Sequence, residues 1–291
     1  MIQTLSPAQL AAYFDRIGYS GPHQATSETL HALHRLHPQA IPFENLDALL
    51  RRTPRLDLEP VFAKLVSARR GGYCYEHNLL FRAVLDTLGF ETTGLAARVL
   101  WNDPDAMPPR THMMLLVETP DETWLADVGF GSMTLSAPLL FDTGREQATL
   151  HESFRIDLIE RGDYVLQVKL GDASNLASKP VWKPIYRFDL EPQFPADYVM
   201  ANHYVSTCPE SIFLNHLIVA RVMPGQRQIL FDRTLTRRGA AEEHRELATG
   251  AELRDVLQDL FGLSLPLAND LDAMLDRIVE SSASASAPTT T

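Results

Sequence analysis

At 291 residues the chain is longer than one hydrophobic core ordinarily serves, and a hydrophobic share of 45% with aromatic residues spread along it excludes a mainly disordered protein. A formal net charge of −11 repels phosphodiester backbones and anionic membrane surfaces, so nucleic-acid and peripheral-membrane partners are disfavoured and an anionic ligand needs a local site. No apolar run is long enough to cross a bilayer, Met1 to Leu10 lack the regions of a signal peptide, and two cysteines, Cys74 and Cys208, make no disulfide framework, so a reducing cytoplasm is expected.

Short helices come first. Pro7 suits an opening turn, and Leu10, Tyr13, Phe14 and Ile17 follow at helical spacing before Gly18. A second helix is expected over Thr29 to Leu36, with His37 just beyond it. His31 and His34 can share one face, but without a nearby cysteine or acidic ligand pattern packing or surface roles are favoured over a metal. Pro42 interrupts the helical pattern, Phe43 and Leu46 can face inward, and Asp57 to Val66 reads as helix again. From Cys74 the apolar residues Leu80, Val84 and Leu88 recur every fourth position, Phe81, Ala83 and Leu85 widen the stripe, and Gly89 closes it.

Alternation then replaces the helical period. Strands are expected over Leu95 to Trp101, His112 to Val117 and Thr123 to Val128, with a Pro- and Asp-rich loop over Asn102 to Arg110 and a turn at Pro120-Asp121. If Thr119 pairs with Glu122, Met114 lies opposite Asp127 and His112 opposite Gly129. His112 and Asp127 then emerge on one face as diagonal neighbours. Phe154 to Ile159, Tyr164 to Leu170 and Trp182 to Phe188 continue the alternation and suggest a small antiparallel barrel or sandwich. Asn202 to Pro209 reads as polar and turn-rich. Strands at Leu217 to Val222 and Gln228 to Phe231 and helices at Ala251 to Leu260 and Leu267 to Ile278 complete the ordered chain. The small, polar, repetitive tail from Ser281 is expected to be disordered.

Two of these elements can carry chemistry together. A helix N-terminus favours negative charge and therefore a thiolate at Cys74. A nucleophilic thiol needs a base and a group to orient that base, and His112 and Asp127 supply those types. His77 competes as base, but it lies one turn along the thiol's own helix and its neighbour Glu76 points elsewhere, so His112 is favoured. Asp127-Val128-Gly129-Phe130-Gly131-Ser132 could form an anion-binding turn, although Gly-x-Gly after a strand is more often only a bend.

Arg70-Gly71-Gly72-Tyr73-Cys74-Tyr75-Glu76-His77-Asn78, Thr111-His112-Met113, Asp127-Val128-Gly129-Phe130-Gly131 and Pro42-Phe43-Glu44-Asn45-Leu46, in that arrangement, resemble the arylamine N-acetyltransferases of the bacterial type, within the transglutaminase-like cysteine superfamily. Tyr204-Val205-Ser206-Thr207 and Phe213 are also similar to the family, and the likeness spans nearly all the chain except the tail. The resemblance implies an α+β fold with a cysteine-protease-like core. A helical domain over 1–94 would carry the nucleophile, a β-barrel over 95–195 the His and Asp, and an α/β lid over 196–279 would precede a disordered 280–291. It implies Cys74, His112 and Asp127 as catalytic triad and acetyl-coenzyme A as acyl donor, with no metal. Coenzyme contacts map onto Thr111, Gly129, Phe130 and Gly131, with Ser206 and Thr207 less surely placed; the amine pocket maps onto Phe43, Val99, Phe130 and Tyr204. The activity implied is ping-pong acetylation of arylamines, arylhydrazines or N-hydroxyarylamines through an acetyl-cysteine, in xenobiotic metabolism, with a homodimer left open. His77 departs from the apolar residue many members carry, and no long insertion of the vertebrate kind separates barrel from lid, which implies an open coenzyme cleft. A transglutaminase-like hydrolase or amidase, a natural-product amide synthase and a non-catalytic binding module are the alternatives.

Overall fold

The computed structural model describes residues 4–171, 180–266 and 270–285. Its first helix, α1 (Pro7–Ile17), is delimited by local chemistry: Ser6 and Gln9 exchange side-chain-to-backbone hydrogen bonds at the start, and Gly18 takes the left-handed conformation at the end. Helix α2 (Ser27–Ala40) is capped by Thr26 and runs past the expected end at Leu36, through Pro38. Then come β1 (Phe43–Glu44), α3 (Leu46–Leu49) and α4 (Leu58–Phe62), the last continued by a π-helical turn over Ala63–Ser67. Helix α5 (Cys74–Thr87) is buried without a break from Cys74 to Asn78, as befits an element packed on all sides. Tyr13, Leu30, Leu33, Leu65, Phe81 and Leu85 form the centre of this helical core.

The second core lies inside an antiparallel sheet. Strands β2 (Glu91–Val99), β3 (Arg110–Glu118), β4 (Thr123–Ala126), β5 (Leu139–Leu140), β6 (Gln147–Ala148), β7 (Ser153–Leu158), β8 (Tyr164–Leu170) and β9 (Val181–Phe188) follow the order β5-β4-β3-β2-β9-β8-β7-β6. The Gln147 carboxamide spans the gap between the end strands, accepting from Leu140 N at 2.8 Å and donating to Leu140 O at 2.9 Å. Strand β3 is buried on both faces. Met113, Leu115 and Val117 face the helical core, while Met114 joins Leu95, Leu125 and Phe154 inside the barrel. The β3/β4 hairpin has the expected register, with Glu118 opposite Thr123 and Leu115 opposite Ala126.

The remaining elements are α6 (Pro195–Thr207), α7 (Ile212–Asn215), β10 (Ile218–Met223), β11 (Gln226–Phe231), β12 (Thr234–Arg238), β13 (Glu242–Glu246), α8 (Gly250–Asp255) with a π-helical turn over Val256–Leu260, and α9 (Leu271–Ala285). Their sheet has the order β1-β10-β11-β12-β13, so a strand from the N-terminal region completes it. Leu217, Leu230, Leu253, Leu257 and Phe261 form the third core.

Several expectations are corrected here. The stretch read as turn-rich, Asn202 to Thr207, is the last part of α6, which Pro195 opens and the Asp197 carboxylate caps by accepting from Phe194 N at 2.8 Å. Strands β12 and β13 were not expected, because β13 is exposed throughout and has no apolar face to betray it. Helix α9 continues to Ala285, past the point where the tail was expected to lose order. The rest of that tail, 286–291, and the expected helix start at 267–269 lie outside the described residues. The expected division after residue 94 falls within β2, and that after 195 within α6. No helix among the described residues is long and apolar enough to cross a membrane.

Candidate active site

The loop that leads into Cys74 is held by charge and by close backbone contact. Arg70 bridges Glu44 at 2.8 Å and Asp47 at 2.9 Å, and Lys64 reaches Asp47 and Glu76 at 2.7 Å each. Glu76 also accepts from Tyr73 N at 3.1 Å, which caps α5 and accounts for its turning away from His77. A Cβ on Gly71 would stand 2.1 Å from the Pro42 carbonyl oxygen, so any other residue would push the loop off β1.

Cys74 thus opens α5 and is 3% exposed. Its Sγ lies 3.7 Å from the Thr111 carbonyl oxygen, which brings β3 alongside the sulfur. The next residue, His112, has Nε2 2.7 Å from Asp127 Oδ2, and Cys74 acts on the charge of its ring. With Nε2 committed to the carboxylate, Nδ1 is the ring nitrogen left for sulfur. Asp127 is fully buried, and its Oδ1 accepts from Asn78 Nδ2 at 3.1 Å and Gly129 N at 3.0 Å. Asn78 donates as well to Met113 O at 2.8 Å, so one carboxamide locks α5, β3 and the carboxylate together.

Burial alone would lower the His112 pKa, but the Asp127 carboxylate and Cys74 outweigh it and push the value up to about 10. Burial pushes Asp127 the other way. His112, Gly129 N–H and Asn78 outweigh that and hold it below the usual carboxylate range. The arrangement favours an imidazolium beside the sulfur and an ionised carboxylate behind it.

The turn after β4 covers this group. A Cβ on Gly129 would stand 2.9 Å from Cys74 Cα, so only glycine lets the turn lie against the helix start. Phe130 meets the His112 ring edge-on at 5.1 Å, and Tyr186 packs against the same ring at 5.0 Å. Val99 pairs with Tyr186 across the β2/β9 ladder, and Phe43 sits against Gly131. Of the sequence-derived residues, Cys74, His112, Asp127, Thr111, Gly129, Phe130, Gly131, Phe43 and Val99 therefore converge around one centre. Tyr204 stands exposed on α6, a helix tied to the Cys74 loop by the hydrogen bond that Tyr73 donates to Asn202. Thr207 is exposed on the same helix, whereas Ser206 is buried and donates to Asn202 O at 2.8 Å.

His77 does not serve the thiol. Its Nδ1 lies 2.9 Å from His37 Nε2 and its Nε2 3.1 Å from Pro42 O, and burial lowers its pKa to about 4. His34 is also a packing residue: its Nε2 accepts from Asp127 N at 3.2 Å, and burial lowers its pKa to about 3. Sequence reading gave Asn78 and Asn202 no role and took Tyr186 as a core residue only; of the three, Asn78 alone carried a signal, its place in the cysteine motif. Among the described residues no group of three or more His, Cys, Asp or Glu is arranged to hold a metal ion.

Comparison with known proteins gives one answer. Residues 26–271 match the model of a family described as N-acetyltransferase. The chain is 43% identical to the arylamine N-acetyltransferase of Escherichia coli over 87% of its own length and 88% of that protein's. It is 40% identical to the arylamine N-acetyltransferase / N-hydroxyarylamine O-acetyltransferase of Salmonella typhimurium, over 88% of this chain and 89% of that one. The solved structure of Mycobacterium marinum arylamine N-acetyltransferase in complex with CoA superposes with a TM-score of 0.86 at 37% identity, covering 92% of this chain and 99% of that one.

Proposed function

The chain belongs to the arylamine N-acetyltransferase family, and from that premise we propose that it carries an acetyl group from acetyl-coenzyme A to arylamines, arylhydrazines and N-hydroxyarylamines through an acetyl-Cys74 intermediate. It is an acyltransferase. For N-hydroxyarylamines the name of the Salmonella relative specifies oxygen as the acceptor atom, and we adopt that assignment.

The observation that carries this reading is the buried Cys74–His112–Asp127 array at the start of α5. In the first half-reaction the Cys74 thiolate attacks the thioester carbonyl, and coenzyme A leaves with a proton from the His112 imidazolium. In the second, the amine nitrogen attacks acetyl-Cys74, His112 takes the proton lost from nitrogen, and the thiolate departs. Asp127 keeps the imidazole in the orientation that both transfers use. First-turn N–H groups of α5 lack helical carbonyl partners and are candidates to hold the oxyanion.

The residues present suit the donor at its thioester end. Gly129 leaves backbone against Cys74 where any Cβ would collide, and Thr111, Phe130 and Gly131 flank the same point. Thr207, exposed at the end of α6, is assigned to the outer part of the coenzyme on the family likeness alone. Ser206, turned into its own helix, is the weakest of the coenzyme contacts the family likeness implies. Phe43, Val99, Phe130 and Tyr204 would enclose the aromatic amine and limit hydrolysis of the acyl-enzyme. A cytoplasmic enzyme acting on foreign aromatic amines fits this set. Initial rates with both substrates varied should give parallel double-reciprocal lines; intersecting lines would overturn the two-step route.

A further inference from the structure

Behind Cys74 lies a chain of buried polar groups that acyl transfer does not use. His37 on α2 and His77 on α5 are 0% and 1% exposed, with His37 Nε2 2.9 Å from His77 Nδ1. At one end the Tyr13 hydroxyl lies 2.8 Å from His37 Nδ1, and at the other His77 Nε2 lies 3.1 Å from the Pro42 carbonyl oxygen. These partners determine where each proton sits. A carbonyl only accepts, so His77 Nε2 carries the hydrogen and donates it; a neutral imidazole has one hydrogen, so His77 Nδ1 accepts. His37 Nε2 must then donate, and His37 Nδ1 accepts from Tyr13 O–H. With both rings uncharged, every link then has one donor and one acceptor, and all hydrogens point from Tyr13 toward Pro42. Burial, reinforced by the repulsion that a positive ring would meet from its histidine neighbours and Arg16, holds His37 well below its ordinary pKa, and burial likewise depresses His77 to about 4.

The chain ends at the residue before Phe43. The Phe43 ring lies parallel to that of His77, with 6.5 Å between centroids and 7° between planes; it also meets Phe213 and Gly131, while its backbone pairs with Ala220 and Gly72. The nucleophile has separate supports. Glu76 caps its helix, Lys64 and Arg70 pin its loop, and Asn78 joins α5 to β3. Loss of the histidine chain should therefore loosen the Phe43 wall while leaving Cys74 and His112 in register.

We infer that Tyr13, His37 and His77 form a one-way hydrogen-bond chain that fixes the Pro42–Phe43 wall, which makes His77 a positioning residue for the amine substrate. The inference rests on the acyl-transfer reading above, and it is tested by two measurements that separate the two. Long-range proton–nitrogen NMR of the intact protein should show His37 and His77 neutral at pH 7, each with its hydrogen on Nε2. A charged ring, or a hydrogen on His77 Nδ1, overturns the chain whatever the enzyme does. Transient kinetics then follow acylation by acetyl-coenzyme A and deacylation by a substituted aniline as separate steps. His77→Leu should slow deacylation about tenfold, the effect of one lost buried hydrogen bond, with acylation unchanged. His77→Gln, whose carboxamide can donate to Pro42 and accept from His37, should recover most of that loss, and Tyr13→Phe should show a smaller loss in the same step. Equal losses in both steps, no loss, or a Gln variant no better than Leu overturns the inference. Failure of the unsubstituted protein to acylate at all would instead overturn the acyl-transfer reading.

Discussion

The two histidines that competed as base differ less in distance along the chain than in what surrounds them. His112 and Asp127 could be placed on one face by counting register across a hairpin, because strand pairing is fixed by alternation and turn length. His77 could not be resolved that way: its partners, His37 and Pro42, are distant in sequence and meet it only through tertiary packing. The electrostatic contrast leads to a measurable difference. With His112 pushed up to about 10 by Asp127 and Cys74 against the effect of burial, its charge persists through neutral pH. The rate of Cys74 alkylation by iodoacetamide should therefore show no step near the ordinary histidine value of 6.5. A step there would mean that His112 is neutral in the resting enzyme.

Among the elements, those with a regular apolar stripe were legible and those without it were not. Helices α1 and α5 and strands β7 to β9 were found close to their observed bounds. Helix α6 was missed altogether, and its second half read as turn-rich, because its apolar residues are spread around the whole circumference, with Val199, Met200 and Tyr204 exposed while Tyr198 and Val205 are buried. Helix α2 was found but underestimated, and its extra turn carries His37 inward. This has a consequence for acid stability. His34, His37 and His77 are buried with depressed pKa values, so below about 6.5 the unfolded chain binds protons that the folded protein refuses. Stability should fall as pH drops from about 6.5 toward about 4, where His77 itself begins to protonate. His112 acts in the opposite sense: its stabilisation is complete below 6.5 and is lost as pH rises toward about 10. Denaturant midpoints measured from pH 7 downward should show this acid slope, and His34→Leu should reduce it by close to one proton. An unchanged slope would mean that His34 is not held neutral.

At the scale of the whole molecule, length pointed beyond a single core, and the described residues form three, but their interlocking was not legible. Strand β1 has only two residues, follows a proline and pairs with β10 more than 170 positions away, so nothing in its local sequence marks it as part of that sheet. The barrel and the C-terminal sheet are joined by Arg227, whose guanidinium binds Glu152 at 2.7 Å and donates to Thr134 O at 2.8 Å. Thr134 in turn accepts from Gly131 N at 2.7 Å, in the turn over Cys74. Because Arg227 is 1% exposed, Arg227→Met leaves Glu152 without its buried counter-charge and should cost roughly 3–5 kcal/mol by chemical denaturation. Adding Glu152→Leu should recover much of that loss, and a single variant as stable as the parent would contradict the role of this clamp. The cores and the clamp bring one thiol, one imidazole and one carboxylate to a common point, and the most direct test addresses that point. Intact-protein mass spectrometry after incubation with acetyl-coenzyme A and no amine should show one added acetyl group, mapped to Cys74 and discharged by an arylamine. The same addition in Cys74→Ala, or its absence from the unsubstituted protein, would contradict the account.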